Sequence, residues 1–147
     1  MNNYFNEKSL HSIDSKGRIL LPKDIRGHFR IKKAEVLHLV PNLSGPSYLE
    51  IRSASQWKKY CESLRQQESG EKKKDSFRYA MMLQETATVD GQGRILIPQR
   101  IRETCKFGET VAIVNMDVYI EVWAKEHMDQ KYADMVRAFK ELNDRMF

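Results

Sequence analysis

Cysteine is scarce. The 147 residues contain two, Cys61 and Cys105, far apart and outside any Cys-x-x-Cys pair. That excludes a disulfide framework or a zinc knuckle as the basis of the fold, and a reducing compartment is the natural setting. No run approaches the ~18 apolar residues needed to cross a bilayer. The opening Met-Asn-Asn-Tyr-Phe-Asn-Glu-Lys has no apolar core of the kind a signal peptide requires. A soluble, cytoplasmic protein with no membrane partner is therefore expected. Chemistry is also missing. There is no Gly-rich phosphate loop and no serine elbow, since Ser44-Gly45 reads as a turn. His11, His28, His38 and His127 are scattered, with no carboxylate or cysteine at ligand spacing. Neither catalysis, a metal nor a cofactor is expected.

What is present is positive charge, unevenly placed. The formal net charge is +5, with a hydrophobic fraction of 41% that is ordinary for a globular chain. Residues 1–70 hold 12 Lys/Arg against 7 Asp/Glu, whereas residues 71–147 hold 13 of each. Between Asp14 and Lys33 stand Lys16, Arg18, Lys23, Arg26, Arg30, Lys32 and Lys33 against two acids, Asp14 and Asp24. Such a run fits an anionic partner or a solvated face.

The chain also repeats itself. Asp14-Ser-Lys-Gly-Arg-Ile-Leu-Leu-Pro-Lys-Asp-Ile-Arg26 aligns without gaps on Asp90-Gly-Gln-Gly-Arg-Ile-Leu-Ile-Pro-Gln-Arg-Ile-Arg102, with eight of 13 positions identical at an offset of 76. In each copy a short strand (Leu10–Ile13, Thr86–Val89) leads into the Asp, and the glycine supplies the positive φ that a tight turn needs. A return strand follows, Arg18-Ile-Leu-Leu or Arg94-Ile-Leu-Ile, and ends at Pro22 or Pro98. A proline there suits the first turn of a helix, which would carry Ile25 and Phe29, or Ile101 and Cys105, on one face. Two more strands close each copy: Glu35–Pro41 with Tyr48–Arg52, and Thr110–Val114 with Val118–Trp123.

A helix from Ser53 or Ser55, with Trp57, Tyr60, Cys61 and Leu64 on one side, separates the copies. Gln66–Asp75 reads as its frayed end plus a linker. The spacing of Met128, Tyr132, Met135, Phe139, Leu142 and Met146 predicts a C-terminal amphipathic helix, packed on its own domain or against another subunit. The division is 1–70 for the first repeat with its trailing helix and 71–147 for the second. Units this small bury too little apolar surface alone. The expectation is an α+β fold in which each half completes the other's sheet as a pseudo-twofold barrel.

The Asp-x-x-Gly-Arg unit between strands, closed by a proline and a short helix, resembles the swapped-hairpin domain of the AbrB/SpoVT superfamily. Two such units in one chain of this length resemble the MraZ family. The resemblance covers nearly the whole chain. It implies a bacterial transcription factor that binds short direct repeats upstream of the division and cell-wall gene cluster and assembles into ring-shaped homo-oligomers. It further implies double-stranded DNA contact through the loops Asp14–Arg18 and Asp90–Arg94, and a place in the nucleoid.

The residue chemistry is compatible with those roles. Arg18 and Arg94 carry planar forks suited to guanine or phosphate. Asp14 and Asp90 are suited to fixing the turns, and Lys16 and Lys23 to phosphate. The Asp–Arg pairs could instead be ion pairs that only pin two similar turns. Because Gln92 stands where the first copy has Lys16, and the second half has no basic excess, the first loop is the stronger candidate reader. The second could chiefly serve assembly. A protein-interaction scaffold and a non-specific nucleoid protein are the alternatives.

Overall fold

The computed structural model describes residues 10–66 and 70–146. The first copy contributes β1 (Leu10–Ser12), β2 (Arg18–Leu20), α1 (Lys23–His28), β3 (Val36–Asn42) and β4 (Tyr48–Arg52). The second contributes β5 (Glu85–Thr88), β6 (Arg94–Leu96), α4 (Gln99–Thr104), β7 (Thr110–Asn115) and β8 (Ile120–Ala124). Between them lie α2 (Ala54–Gln66) and α3 (Glu71–Leu83), and α5 (Lys125–Met146) ends the chain. Pro22 and Pro98 stand just before α1 and α4, and their carbonyls accept from the Arg26 and Arg102 amides at 2.9 and 3.0 Å.

The copies are interleaved. A six-stranded sheet runs β1-β7-β8-β4-β3-β5, and a separate ribbon pairs β2 with β6. The first strand of each copy thus lies on the other copy: β1 pairs with β7, and β5 with β3, both antiparallel. At the centre β4 pairs with β8. The fold is α+β with antiparallel sheets, as expected. The hydrogen-bonded ladder stays open, with β1 and β5 as edges, so it does not close into the expected barrel.

Period-two alternation explains the layers. Leu37, Leu39, Leu49, Ile51, Ile120 and Val122 point into one core, where Ile19 and Ile95 of the ribbon and Ile25 and Ile101 of the short helices meet them. Cys105 is fully buried there, and burial pushes its thiol up to about 12. The outer face of β4 and β8 carries Glu50, Arg52 and Glu121, all buried and all partnered. Arg52 donates to Glu50 at 2.8 Å and lies over the Tyr60 ring, while Glu121 accepts from Tyr119 Oη and Trp123 Nε1.

The linker expected over Gln66–Asp75 is corrected by α3, which begins at Glu71. Its first turns lack apolar residues, and Arg78 pairs there with Glu71 and Asp75. Its second half packs through buried Ala80 and a hydrogen bond from Tyr79 Oη to the Pro41 carbonyl. In α5, Met128 is buried, whereas Met135, Phe139, Leu142 and Met146 are exposed. Among the described residues, no helix is long and apolar enough to cross a membrane.

Candidate nucleic-acid interface

The two turns are built alike. Asp14 Oδ1 accepts from the amides of Lys16 and Arg18, both at 2.9 Å, and Oδ2 accepts from Arg18 Nε at 2.8 Å. Asp90 does the same with the amides of Gln92 and Arg94, and with Arg94 Nε at 2.9 Å. The Gly17 and Gly93 amides close each turn onto the Asp14 and Asp90 carbonyls. The Arg18 N–H bond holds the Asp14 carboxyl below its ordinary value; desolvation opposes it, and the bonds to the Arg18 side chain and the Lys16 amide add smaller lowering effects. Asp90 is lowered for the same reason, led by the Arg94 N–H.

Each aspartate therefore shapes its turn, and the ion pairs expected from the sequence are formed. Their side chains are about 30% exposed on the arginine side (29% and 31%), where such pairs contribute little stability. Spending Nε on the aspartate leaves the two Nη nitrogens of Arg18 and of Arg94 without a hydrogen-bond partner among the described residues.

The ribbon sets both arginines on one face. Arg18 lies opposite Leu96, Ile19 opposite Ile95, and Leu20 opposite Arg94. The isoleucines are buried, so alternation turns Arg18, Leu20, Arg94 and Leu96 outward together, with Leu20 and Leu96 50% and 52% exposed. The four outward positions form a square, arginines on one diagonal and leucines on the other. Two residues of rise and one strand spacing separate Arg18 from Arg94 by about 8 Å between Cα atoms.

Strand interleaving brings each short helix to the other copy's turn. Leu21 N–H donates to the Gly93 carbonyl (3.0 Å), and Ile97 N–H to the Gly17 carbonyl (2.9 Å). Arg26, anchored by Nε to the Leu21 carbonyl, lies against Gly93, and Arg102, anchored to the Ile97 carbonyl, lies against Gly17. A Cβ added at Gly17 would fall 2.6 Å from the Arg102 Nε and Cζ, and one at Gly93 2.9 Å from the same Arg26 atoms. Gly17 and Gly93 also take φ of +89° and +83°.

Gly17→Ala is therefore expected to cost about 1–3 kcal/mol, read as a lower Tm. Gly27→Ala in α1, where a Cβ meets nothing within 4 Å, is expected to be neutral or stabilising. Equal melting of the two variants would contradict the turn geometry.

The same interleaving redistributes charge. Lys33 of the first half reaches the second turn, its Cε 3.6 Å from where a Gly91 Cβ would stand. The residue 76 positions after Lys33 is Glu109, which lines a cleft beside Asp14 and Ser15 together with Arg102, Glu103 and Lys106. The lysine lost where Gln92 replaces Lys16 is thus supplied from the other half. Summing charge along each half misplaces it, and the second loop is not electrostatically bare.

Of the six candidate residues, Asp14, Lys16 and Arg18 gather on one turn and Asp90 and Arg94 on the other. Lys23 opens α1, exposed and with no hydrogen bond or ion pair to either loop among the described residues. Arg26 and Arg102 were not singled out by the sequence reading. The available signal was their identical place nine residues after each turn glycine.

The family model described as "MraZ protein, putative antitoxin-like" matches residues 4–78 and 81–147, one turn in each segment. The chain is 30% identical over 137 residues, 92% of each protein, to the transcriptional regulator MraZ of Caldanaerobacter subterraneus subsp. tengcongensis. It is 30% identical over 124 residues, 84% of each, to that of Lachnoclostridium phytofermentans. It is 29% identical over 121 residues, 81% of this chain and 77% of the relative, to that of Bacteroides thetaiotaomicron.

Proposed function

The chain belongs to the MraZ family, and from that premise we propose that it is a transcriptional regulator that binds double-stranded DNA sequence-specifically through the outer face of the β2–β6 ribbon. The observation that carries this reading is the placing of Arg18 and Arg94 on one outward face, each with its Nε held by an aspartate. A two-stranded ribbon fits the major groove, whose width of about 12 Å accommodates both arginines at their ~8 Å spacing. Each guanidinium is suited to guanine O6 and N7. Asp14 and Asp90 hold the turns in shape. Lys16, Lys23 and Lys33 are suited to phosphates, which set register and affinity.

Both loops act together in this reading. One chain presents a small footprint, below the ~1,000 Å² of protein surface common in specific complexes. Assembly into a ring-shaped homo-oligomer on tandem promoter repeats raises avidity without stronger single contacts. The exposed Met135, Phe139, Leu142 and Met146 of α5 support self-assembly. The targets we propose are short direct repeats upstream of the division and cell-wall gene cluster, which places the protein in the cytoplasm, on the nucleoid.

Selection from a random duplex pool tests the function. A short motif repeated at constant spacing is expected, with affinity falling steeply with salt as bound counterions are released. Enrichment of no sequence would point instead to an interaction scaffold, and a featureless A·T preference to a non-specific nucleoid protein.

A further inference from the structure

The two outward leucines lie outside the hydrophobic core. The core-facing work of the ribbon is done by Ile19 and Ile95, both buried, while Leu20 and Leu96 stand half-exposed beside arginines. A short solvent-facing strand position ordinarily takes a polar or charged side chain. The two halves differ in the surrounding surface positions: Lys16 against Gln92, Lys23 against Gln99, and Asp24 against Arg100. Both nevertheless carry leucine at this point.

We propose that Leu20 and Leu96 are specificity-determining residues that read the C5-methyl groups of thymine in the major groove. This rests on the DNA-binding reading above. The occupant of the face follows from charge complementarity. The leucines sit inside a frame of Arg18 and Arg94, with Arg26 and Arg102 against the adjoining turn glycines and Lys33 beside Gly91. A second copy of this face would bring like charges together, whereas a polyanion neutralises them.

Within the major groove the thymine methyl is the one apolar group on the base edges, and apolar side chains are what recognise it. The square of the ribbon then divides the labour. Arginines on one diagonal take hydrogen-bond acceptors, and leucines on the other take methyls. The diagonals span about 8 Å, or two to three base steps of ~3.4 Å, so one chain reads a short mixed G/T element.

Deoxyuridine tests this, because it keeps every hydrogen bond of thymine and lacks only the methyl. The duplex is the one selected from a random pool by the full-length protein, prepared with deoxythymidine or with deoxyuridine throughout. The wild-type protein is expected to bind the deoxyuridine duplex about three- to fivefold more weakly for each methyl contacted. Leu20→Ala/Leu96→Ala is expected to bind both duplexes alike, at the wild-type affinity for deoxyuridine DNA. Leu20→Met/Leu96→Met, which keeps apolar reach, is expected to retain discrimination, and all three proteins to melt alike.

The proposal is overturned if the wild type does not distinguish the duplexes, or if the alanine variant keeps the wild-type ratio. It is also overturned if the alanine variant changes only the mass of the assembly by light scattering, which makes the leucines a self-contact. Failure to enrich any duplex at all sinks the DNA-binding reading itself, an outcome distinct from a duplex that is enriched but insensitive to the methyl.

Discussion

Arg18→Ala is expected to weaken binding to the selected duplex by about 5- to 150-fold, the range for one bidentate contact to a base. Thermal unfolding and the mass of the assembly are expected to stay unchanged. The reason lies in how the turn is held. Asp14 Oδ1 takes the backbone amides of residues 16 and 18, and the Gly17 amide bonds to the Asp14 carbonyl, none of which needs the arginine side chain. What is lost is one partly exposed ion pair and the two Nη nitrogens that face no partner among the described residues. Isothermal or fluorescence titration reads the affinity, and sedimentation reads the mass. An Arg18→Ala protein that dissociates or melts early would show that the Asp14–Arg18 pair is chiefly structural.

Cutting the chain between α2 and α3 has a larger effect still. The fragments 1–66 and 70–147 are each expected to be unfolded as monomers, with no cooperative transition by circular dichroism, and to regain sheet and DNA binding when mixed. Among the described residues of 1–66 the strand pairing that remains is the β3–β4 hairpin and one bridge between Ile13 and Ile19, because β1, β2, β3 and β4 all pair with strands of the other half. A lone hairpin is marginal in water. Ile19, Leu21, Leu39 and Ile51, all fully buried in the whole chain, would lose facing residues such as Ile95, Ile97 and Val122. A monomeric fragment that unfolds cooperatively would contradict the interleaved architecture.

The parts of this structure written locally were legible in the sequence. The Asp-x-x-Gly-Arg turns need one glycine at positive φ and one side-chain acceptor, both within five residues, and they appear as the duplicated motif indicates. The strands beside them follow from alternation. Less was legible where partners come from across the chain. The charge surplus of residues 1–70 pointed to the first loop, yet Arg26 and Lys33 from that surplus lie against the second turn, carried there by the pairing of β5 with β3 and β6 with β2. The start of α3 was hidden for a different reason. Its opening Glu-Lys-Lys-Lys-Asp has no apolar period, and the partner of its acids, Arg78, lies beyond the stretch read as linker. The barrel is the part that strand pairing does not show: the halves complete one another, but β1 and β5 stay as the edges of the six-stranded sheet.

Whether the two turns form one reading face is decided most directly by comparing Arg94→Ala with Arg18→Ala on the same selected duplex, at the same salt. With both arginines outward on the ribbon and a lysine beside each turn, the two substitutions are expected to cost comparable affinity, within about threefold of each other, a difference of less than ~1 kcal/mol. An Arg94→Ala protein that binds like the wild type, beside an Arg18→Ala protein that does not, would contradict a shared face and return the second turn to assembly alone.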